Sequence, residues 1–218
     1  MCWFGNVVRQ RTEGIEPIHR VPFEHGDHPV CVIEHRGVPV ALVSPGVGAP
    51  AAVISLEVVI ALGATHIIGC GGAGIVKAGF DIGHVIVPTG AVRDEGTSYH
   101  YAPPDAEVAP HPRALAAIHD VLAEHGVPHD QGLTWTTDAF FRETPEKVAR
   151  RREQGCLAVE MEASAMFACS AFRGAVYGQL LYAGDDVSAA SWDHRDWDQQ
   201  HGARDRLLDL ALDTVIRL

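Results

Sequence analysis

The sequence predicts an α/β fold in which helices cover a parallel or mixed sheet, and three observations support this prediction. Short β-type runs alternate with segments of helical periodicity along the whole chain. The 218 residues suit a single domain spanning 1–218, which is long enough to bury a real core. Hydrophobic residues make up 47% and charged residues 21%, as is typical of a globular protein.

The predicted elements follow from the spacing of apolar residues and from the glycines between them. Predicted strands cover residues 30–33, 38–43, 66–70, 85–88, 132–137, 157–159 and 175–183. Predicted helices cover residues 51–62, 114–124, 145–154, 161–171 and 204–218. Pro39 indicates an irregular or edge position for its strand. Since ligands of such folds gather where strands end, a site is expected at the segments that follow, namely Gly46, Gly69, Phe140, Glu160 and Asp185.

Net charge and cysteine content limit the classes of function. The chain carries a net charge of −11, so nucleic acid and anionic membranes are not expected as main partners, although a pocket can be locally positive. Neither a signal peptide nor an apolar bilayer span is visible, which favours a cytoplasmic location. The five cysteines are scattered without a CxxC pair, which indicates buried thiols. No metal site is expected, because His25, His28 and His35 lie in a loop-like stretch without a matching ligand set.

Acidic pairs stand at two predicted strand ends. Glu160-Met161-Glu162 occupies a strand-to-helix junction. A carboxylate there could accept hydrogen bonds from two neighbouring hydroxyls, or it could simply complement the helix N-terminus, and spacing alone favours the second interpretation. Asp185-Asp186 follows an apolar strand and a glycine. That pair is equally consistent with a functional acid and with a turn or N-cap.

Two further motifs are weaker. Gly71 to Gly74 after a predicted strand could bring backbone N–H groups to an anion, but the pattern is neither GxGxxG nor a P-loop. Phe140-Phe141 could stack on a base, although aromatic pairs more often belong to the core. Cleavage of an N-glycosidic bond requires groups that hold the sugar hydroxyls, an acid for the departing base and a nucleophile on the opposite face.

Together and in order, these motifs resemble the nucleoside phosphorylases and nucleosidases of the uridine and purine phosphorylase type. The resemblance runs from about Val38 to Val187. The segments that carry it are Gly46-Val47-Gly48-Ala49-Pro50, Gly69-Cys70-Gly71-Gly72, Thr89 to Tyr101, Thr136 to Thr144, Val159 to Ala163 and Gly184-Asp185-Asp186. The resemblance implies a phosphorylase-type α/β/α sandwich with a mixed central sheet covered by helices. It also implies a homo-oligomer that binds a small-molecule nucleoside and needs no cofactor, with inorganic phosphate as co-substrate.

The resemblance also implies roles for individual residues. Glu162 would bind the ribose 2′- and 3′-hydroxyls, with Met161 packed against the sugar. Phe140 would stack on the base, and Asp185 would protonate or hydrogen-bond the base as it leaves. The remaining implied substrate-binding positions are Gly48, Gly71, Gly72 and Glu160.

The sequence departs from the family's phosphorylases at the phosphate end. Ile67 stands before the Gly69 turn, where those enzymes have an arginine, and Gly5 to Arg9 only faintly resembles their N-terminal phosphate loop. A missing charged hydrogen bond costs roughly 1.5–3 kcal/mol of anion binding. Arg9 and Cys70 are the implied phosphate ligands. Two other arginines that could reach a neighbouring subunit's site are Arg20 and Arg36.

Three functions remain open at this point. Phosphorolysis of a nucleoside to a free base and pentose 1-phosphate is favoured. Phosphate-independent hydrolysis by a nucleosidase of the same fold is the alternative, and a non-catalytic nucleoside-binding protein is the third. Asp185 suits protonation of a purine ring nitrogen, so a purine is weakly favoured over a pyrimidine. The aromatic and charged segment from Ser191 to Asp198 is either a lid that sets specificity or an exposed, solvated stretch.

Overall fold

The computed structural model describes residues 1–218 and contains six α-helices and eight β-strands. The helices are α1 (Gly5–Arg11), α2 (Ala49–Ala61), α3 (Pro112–Glu124), α4 (Pro145–Glu153), α5 (Ala163–Arg173) and α6 (His201–Val215). The strands are β1 (His19–Val21), β2 (His28–His35), β3 (Val38–Val43), β4 (His66–Ile75), β5 (Val85–Asp94), β6 (His129–Thr137), β7 (Cys156–Glu160) and β8 (Val176–Asp186). Short 3-10 turns lie at Ser98–His100, Phe140–Arg142 and Trp197–Gln199.

Five strands form a mixed central sheet in the order β4-β7-β6-β5-β8. Strand β8 pairs in parallel with β4 and in antiparallel with β5, so the sheet closes on itself. Strands β1, β2 and β3 form a separate antiparallel sheet, in which β3, the strand that carries Pro39, lies at an edge. The predicted mixed sheet covered by helices is confirmed.

Helices cover the sheet because its strands alternate their apolar side chains between two faces. In β4, Ile67 packs in a cluster with α2 and α5, whereas its neighbour Ile68 packs in a cluster with α3 and α6. This period of two is the geometry of a strand buried on both faces. Three helices carry proline in their first turn, where its missing N–H breaks no intrahelical bond, namely at Pro50, Pro112 and Pro145.

The structure corrects the prediction of an anion-binding loop after Cys70. Strand β4 continues through the glycines to Ile75. A Cβ added at Gly72 would lie 3.0 Å from the Tyr182 ring, and one added at Gly71 would lie 3.5 Å from Trp3 Cβ. The glycines therefore allow aromatic side chains to pack closely on a strand, and they do not form a turn.

Two other elements were not predicted, namely α1 and β1. Helix α1 has seven residues, and its N-cap forms no side-chain hydrogen bond, so local sequence carries little signal for it. All five cysteines are free and buried, as their distribution indicated. None of the six helices combines the length and apolar character needed to cross a membrane. No group of three or more histidine, cysteine or acidic side chains has a metal-binding arrangement.

Candidate active site

The last residues of β4 pair with β7 on one side and with β8 on the other. This pairing brings the two predicted acidic segments together. Gly74 in β4 pairs with Val159 of β7. A Cβ added at Gly74 would lie 3.0 Å from Val159 Cγ1 and 3.5 Å from both carboxylate oxygens of Asp185. Only a glycine leaves this space open. Asp185 therefore lies close to the segment that carries Glu160 and Glu162.

Glu162 is the residue before α5, and its side chain contacts the residue before α2. The backbone N–H of Gly48 donates a hydrogen bond to Glu162 Oε1 at 2.6 Å. Gly48 has φ +92° and ψ 146°, a conformation that is essentially restricted to glycine. Glu162 is only 7% exposed. Two residues that the sequence assigned to one site are therefore in direct contact.

Glu160 has a different set of partners, all within the protein. Its Oε2 accepts hydrogen bonds from the backbone N–H groups of Glu162 and Ala163 at 2.7 and 2.6 Å. Its Oε1 accepts hydrogen bonds from the hydroxyls of Thr136 at 2.6 Å and Thr134 at 3.4 Å. Four protein donors leave little acceptor capacity for a ligand. These contacts agree with the alternative that the sequence left open, in which Glu160 complements the N-terminus of α5. A substrate-binding role of Glu160 stays a prediction.

The two glutamates differ in how well their charge is compensated. Burial, and then the charge of Glu160, raise the pKa of Glu162 to about 8, and the Gly48 N–H only partly opposes them. Burial also raises the pKa of Glu160, against several hydrogen bonds that favour its ionised form. Since hydrogen bonds to a carboxylate stabilise its charge, the environment of Glu160 favours the ionised form more than that of Glu162 does.

Asp185 is half-buried in β8 and has an aromatic partner. The indole N–H of Trp192 donates a hydrogen bond to Asp185 Oδ2 at 2.7 Å. Asp186 and Asp193 exchange two backbone hydrogen bonds of 2.9 Å, which fold residues 187–193 back as a tight turn. This Trp192 turn places an indole that is 60% exposed over the acid. The segment that the sequence left as a lid or a solvated stretch is therefore anchored to the candidate site.

Phe140 begins a short 3-10 turn, and Glu143 follows that turn directly. Phe140 is half-exposed and packs on the more exposed Phe141, with ring centroids 4.1 Å apart. The Glu143 N–H donates to the Phe140 carbonyl at 3.1 Å. Burial, followed by the charge of Asp185, raises the pKa of Glu143 to about 7. Glu143 lies within the Thr136 to Thr144 motif, but its residue type and spacing predicted no role for it.

A buried polar network supports the α5 end of the site, and it too was missed. Glu95 accepts hydrogen bonds from the N–H groups of Thr97 and Ser98 and from the Ser164 hydroxyl. Ser164 in turn donates its backbone N–H to the Thr136 hydroxyl at 3.0 Å. Glu95 lies in the central segment that carries the family resemblance, so its position was visible, but its partners come from distant parts of the chain.

The predicted phosphate ligands are not equally available. Cys70 is fully buried, its N–H donates to the Met1 carbonyl at 3.0 Å, and the pKa of its thiol is raised by the hydrogen bond to Cys2. It therefore offers no free group to phosphate. Arg9 is exposed, and a Cβ added at Gly5 would lie 3.5 Å from its guanidinium and 3.7 Å from Ser44 Oγ.

Three further residues bear on phosphate binding, namely one buried isoleucine and two arginines at the surface. Ile67 is 4% exposed in the apolar cluster beneath α2 and α5. Arg36 donates to Asp213 at 2.7 Å, and Arg20 is exposed on β1.

The remaining predicted substrate-binding positions lie on β4 and before α5. Gly71 and Gly72 lie in β4, and Met161 is half-buried beside Glu162. The structure thus groups Gly48, Met161, Glu162 and Asp185, while Arg9 lies near Ser44, the residue that follows β3.

Several known proteins are similar to this chain in sequence. A guanosine phosphorylase of Halorubrum lacusprofundi is 27% identical over 194 residues, covering 89% of this chain and 78% of that protein. Uridine phosphorylases of Thermococcus kodakarensis and Treponema pallidum are each 31% identical, and the chain spans 42% and 60% of their lengths.

Solved structures agree in fold. A uridine phosphorylase of Vibrio fischeri, solved with 6-hydroxy-1-naphthoic acid, superimposes with a TM-score of 0.83 at 25% identity, covering 100% of this chain and 90% of that one. An AMP nucleosidase of Bacteroides thetaiotaomicron shares the fold, with a TM-score of 0.80 at 20% identity over 99% and 86% of the two chains. The family model described as phosphorylase superfamily matches residues 5–217. The chain therefore belongs to the phosphorylase superfamily, a family of enzymes.

Proposed function

We propose that this chain is a nucleoside phosphorylase, which transfers the pentose of a nucleoside to inorganic phosphate and releases the free base. The contact that carries the proposal is the Gly48 N–H on the buried Glu162 carboxyl, at 2.6 Å. It fixes a carboxyl group at the meeting point of two helix N-termini, close to a second acid, Asp185. A carboxylate so held can accept hydrogen bonds from two adjacent ribose hydroxyls.

The reaction we propose divides among three groups. Glu162 holds the ribose hydroxyls while Met161 packs against the sugar, and Phe140 stacks on the base. As the bond between C1′ and the base nitrogen breaks, its electron pair passes into the base, which takes up a proton on the side of Asp185. A phosphate oxygen forms the new bond to C1′ from the opposite face. Positive charge that develops on the sugar favours the anionic nucleophile.

Phosphate would bind at the edge formed by Arg9 and Ser44. A guanidinium and a hydroxyl are suitable donors for a phosphate oxygen, and charge-assisted bonds of this type are the strong ones. Arg9→Ala should therefore raise the KM for phosphate, whereas Arg150→Ala, at an exposed position of α4, serves as a matched surface control. We further propose a cytoplasmic homo-oligomer that uses phosphate as co-substrate and no other cofactor.

A purine nucleoside is the substrate class we favour. A carboxyl group next to the base suits protonation of a purine ring nitrogen. The guanosine phosphorylase relative, aligned over 89% of the chain, supports this choice, while the uridine phosphorylase relatives keep pyrimidines within the set to be tested.

Hydrolysis is the second candidate, and one observation favours it. Ile67 and Cys70 are both buried, and neither position brings a charged side chain to an anion. Product analysis on purine and pyrimidine nucleosides, with and without phosphate, separates the two reactions. Pentose 1-phosphate formed only with phosphate supports the proposal, and free pentose formed at a phosphate-independent rate would replace it with a nucleosidase.

A further inference from the structure

Asp185 accepts a single side-chain hydrogen bond from the protein, and the donor is an aromatic side chain. The indole N–H of Trp192 donates to Asp185 Oδ2 at 2.7 Å. On the β4 side of the carboxyl group lies Gly74, where an added Cβ would lie 3.5 Å from both carboxylate oxygens, so this position offers no side-chain donor. Oδ1 of Asp185 is therefore left as an acceptor for a ligand.

Burial does not account for the position of Trp192. The residue is 60% exposed, although large aromatic side chains usually stabilise a protein by burial in the core. Its ring meets the His194 ring edge-on, with centroids 5.3 Å apart and planes at 89°. The hydrogen bond to Asp185 is thus the specific contact that this indole makes with the candidate site.

The backbone of the Trp192 turn sets the separation of the acid and the indole. Asp186 and Asp193 exchange two backbone hydrogen bonds of 2.9 Å, and these residues directly follow Asp185 and Trp192 in the chain. The Ser188 N–H donates to Asp186 Oδ1 at 2.7 Å and closes the first part of the turn. The indole is therefore held beside Asp185 by the local backbone.

The neutral indole leaves Asp185 more open than a cation would. The arginine of the same segment, Arg195, donates to the Phe80 carbonyl at 2.9 Å and forms no hydrogen bond with Asp185. An arginine on Asp185 could bind both carboxylate oxygens at once. An indole N–H is a single donor without charge, so it fixes one oxygen and leaves the other free.

We propose that Trp192 is a positioning residue, whose indole N–H holds the carboxyl group of Asp185 so that Oδ1 faces the base of a bound nucleoside. The inference rests on the proposed function, in which Asp185 serves the departing base. Held at Oδ2, the carboxyl group cannot rotate freely, and Oδ1 is presented in one direction. This matters because a misplacement of about 1 Å in an active site can cost about 100-fold in rate.

Two matched aromatic variants test this role. Trp192→Phe removes the N–H donor and keeps an aromatic ring at an exposed position. Trp197→Phe makes the same change five residues later in the same segment. Trp197 is bound through its backbone carbonyl, which accepts hydrogen bonds from Tyr182 and Arg204 and which the substitution retains. Both changes are also made in an Asp185→Ala background.

We expect Trp192→Phe to lower kcat for the nucleoside by about 10–100-fold, with KM and the free energy of unfolding close to those of the wild type. Trp197→Phe should leave kcat and KM within about a factor of three. In the Asp185→Ala background, Trp192→Phe should lower kcat no further, because no carboxyl group is left to position. In NMR spectra, the indole N–H resonance of Trp192, identified by its loss in Trp192→Phe, should shift in Asp185→Ala.

An unchanged kcat in Trp192→Phe, or equal slowing in the presence and absence of Asp185, would overturn the positioning role. A rate loss expressed in KM instead of kcat would overturn it as well, and so would an indole resonance that ignores Asp185→Ala. A wild-type protein that cleaves no nucleoside contradicts the proposed function, on which this role depends. The wild-type measurement alone therefore distinguishes the two failures.

Discussion

The N–H of Gly48 lies 2.6 Å from Glu162 Oε1 and joins the start of α2 to the start of α5, across 114 residues of sequence. This hydrogen bond aims a helix-terminal amide, with its partial positive charge, at a buried carboxyl group. It also explains why glycine stands at position 48, since the required backbone conformation excludes a Cβ. The same contact that orders the two helices shapes the proposed sugar site.

Replacement of Gly48 should therefore affect stability and binding together. Gly48→Ala places a Cβ on a backbone with φ +92°, at a cost of about 1–3 kcal/mol, and moves the amide away from Glu162. The measurements are urea unfolding and the KM for nucleoside. Gly126→Ala, at φ +61° after α3, is the control, and it should lower stability without changing KM. An unaltered KM in Gly48→Ala would argue against the contact as part of the sugar site.

Glu162 should lower the stability of the folded protein at neutral and higher pH. Its pKa rises from 4.5 in the unfolded chain to about 8 in the folded one, so between these values the folded state holds the extra proton and stability falls as pH rises. Glu162→Gln should therefore be more stable than wild type at pH 8, on the order of 1–3 kcal/mol, and similar near pH 4. Activity should be lost. A variant less stable than wild type at pH 8 would contradict this account of the buried pair.

Nucleoside binding should strengthen as pH rises toward 8. If ribose hydroxyls donate to the ionised Glu162, binding favours loss of its proton, whose pKa in the free protein is about 8. Calorimetry without phosphate, in buffers of different ionisation enthalpy, should show proton release at pH 7. Glu162→Gln should bind weakly with no proton release. Release that persists in this variant would assign the proton to another group.

Asp185 and Asp186 offer a matched pair of acids in one strand. Asp185→Asn should lower kcat by about 10²–10³-fold with a small change in KM, because an amide cannot pass a proton to the base. Asp186 accepts the Ser188 N–H at 2.7 Å, and an asparagine oxygen can accept the same bond, so Asp186→Asn should change kcat and KM little. Steady-state kinetics at several pH values would show whether kcat or KM changes in each variant. Equal rate losses in the two variants would remove Asp185 from the chemistry.

Thr136 should matter more than Thr134 for the stability of the α5 end. Thr136 donates to Glu160 at 2.6 Å and accepts the Ser164 N–H, whereas Thr134 is 3.4 Å from the same carboxylate. Thr136→Val leaves buried polar groups unpaired and should cost about 1–3 kcal/mol. Thr134→Val should cost less. Chemical denaturation tests the order, and a larger loss at Thr134 would contradict the described network.

Local patterns predicted the order of most elements. They could not show where a strand requires glycine because a side chain distant in sequence packs against it. Gly71 and Gly72 resembled a loop because the side chains that need their space, Trp3 and Tyr182, lie far away in sequence. Helix α1 was missed because seven residues without a side-chain cap have little helical signal of their own.

The candidate site was predicted in part for a similar reason. Spacing placed Glu160 and Glu162 at one junction, but only the tertiary structure shows that their partners differ. Glu160 accepts hydrogen bonds from Thr136 and two backbone N–H groups, whereas Glu162 accepts one from Gly48. Glu143 carries no local signal, because its pKa depends on burial and on Asp185 in another strand. Sequence motifs therefore indicated the family and the sugar end, while the burial of Glu143 is visible only in the tertiary structure.

The most direct test of the proposed function is product analysis on inosine, guanosine and uridine in isotopically labelled water, with and without phosphate. Phosphorolysis predicts pentose 1-phosphate that forms only with phosphate and carries no label from water at C1′. Free pentose with labelled oxygen at C1′, formed at the same rate without phosphate, would contradict phosphorolysis and identify water as the nucleophile.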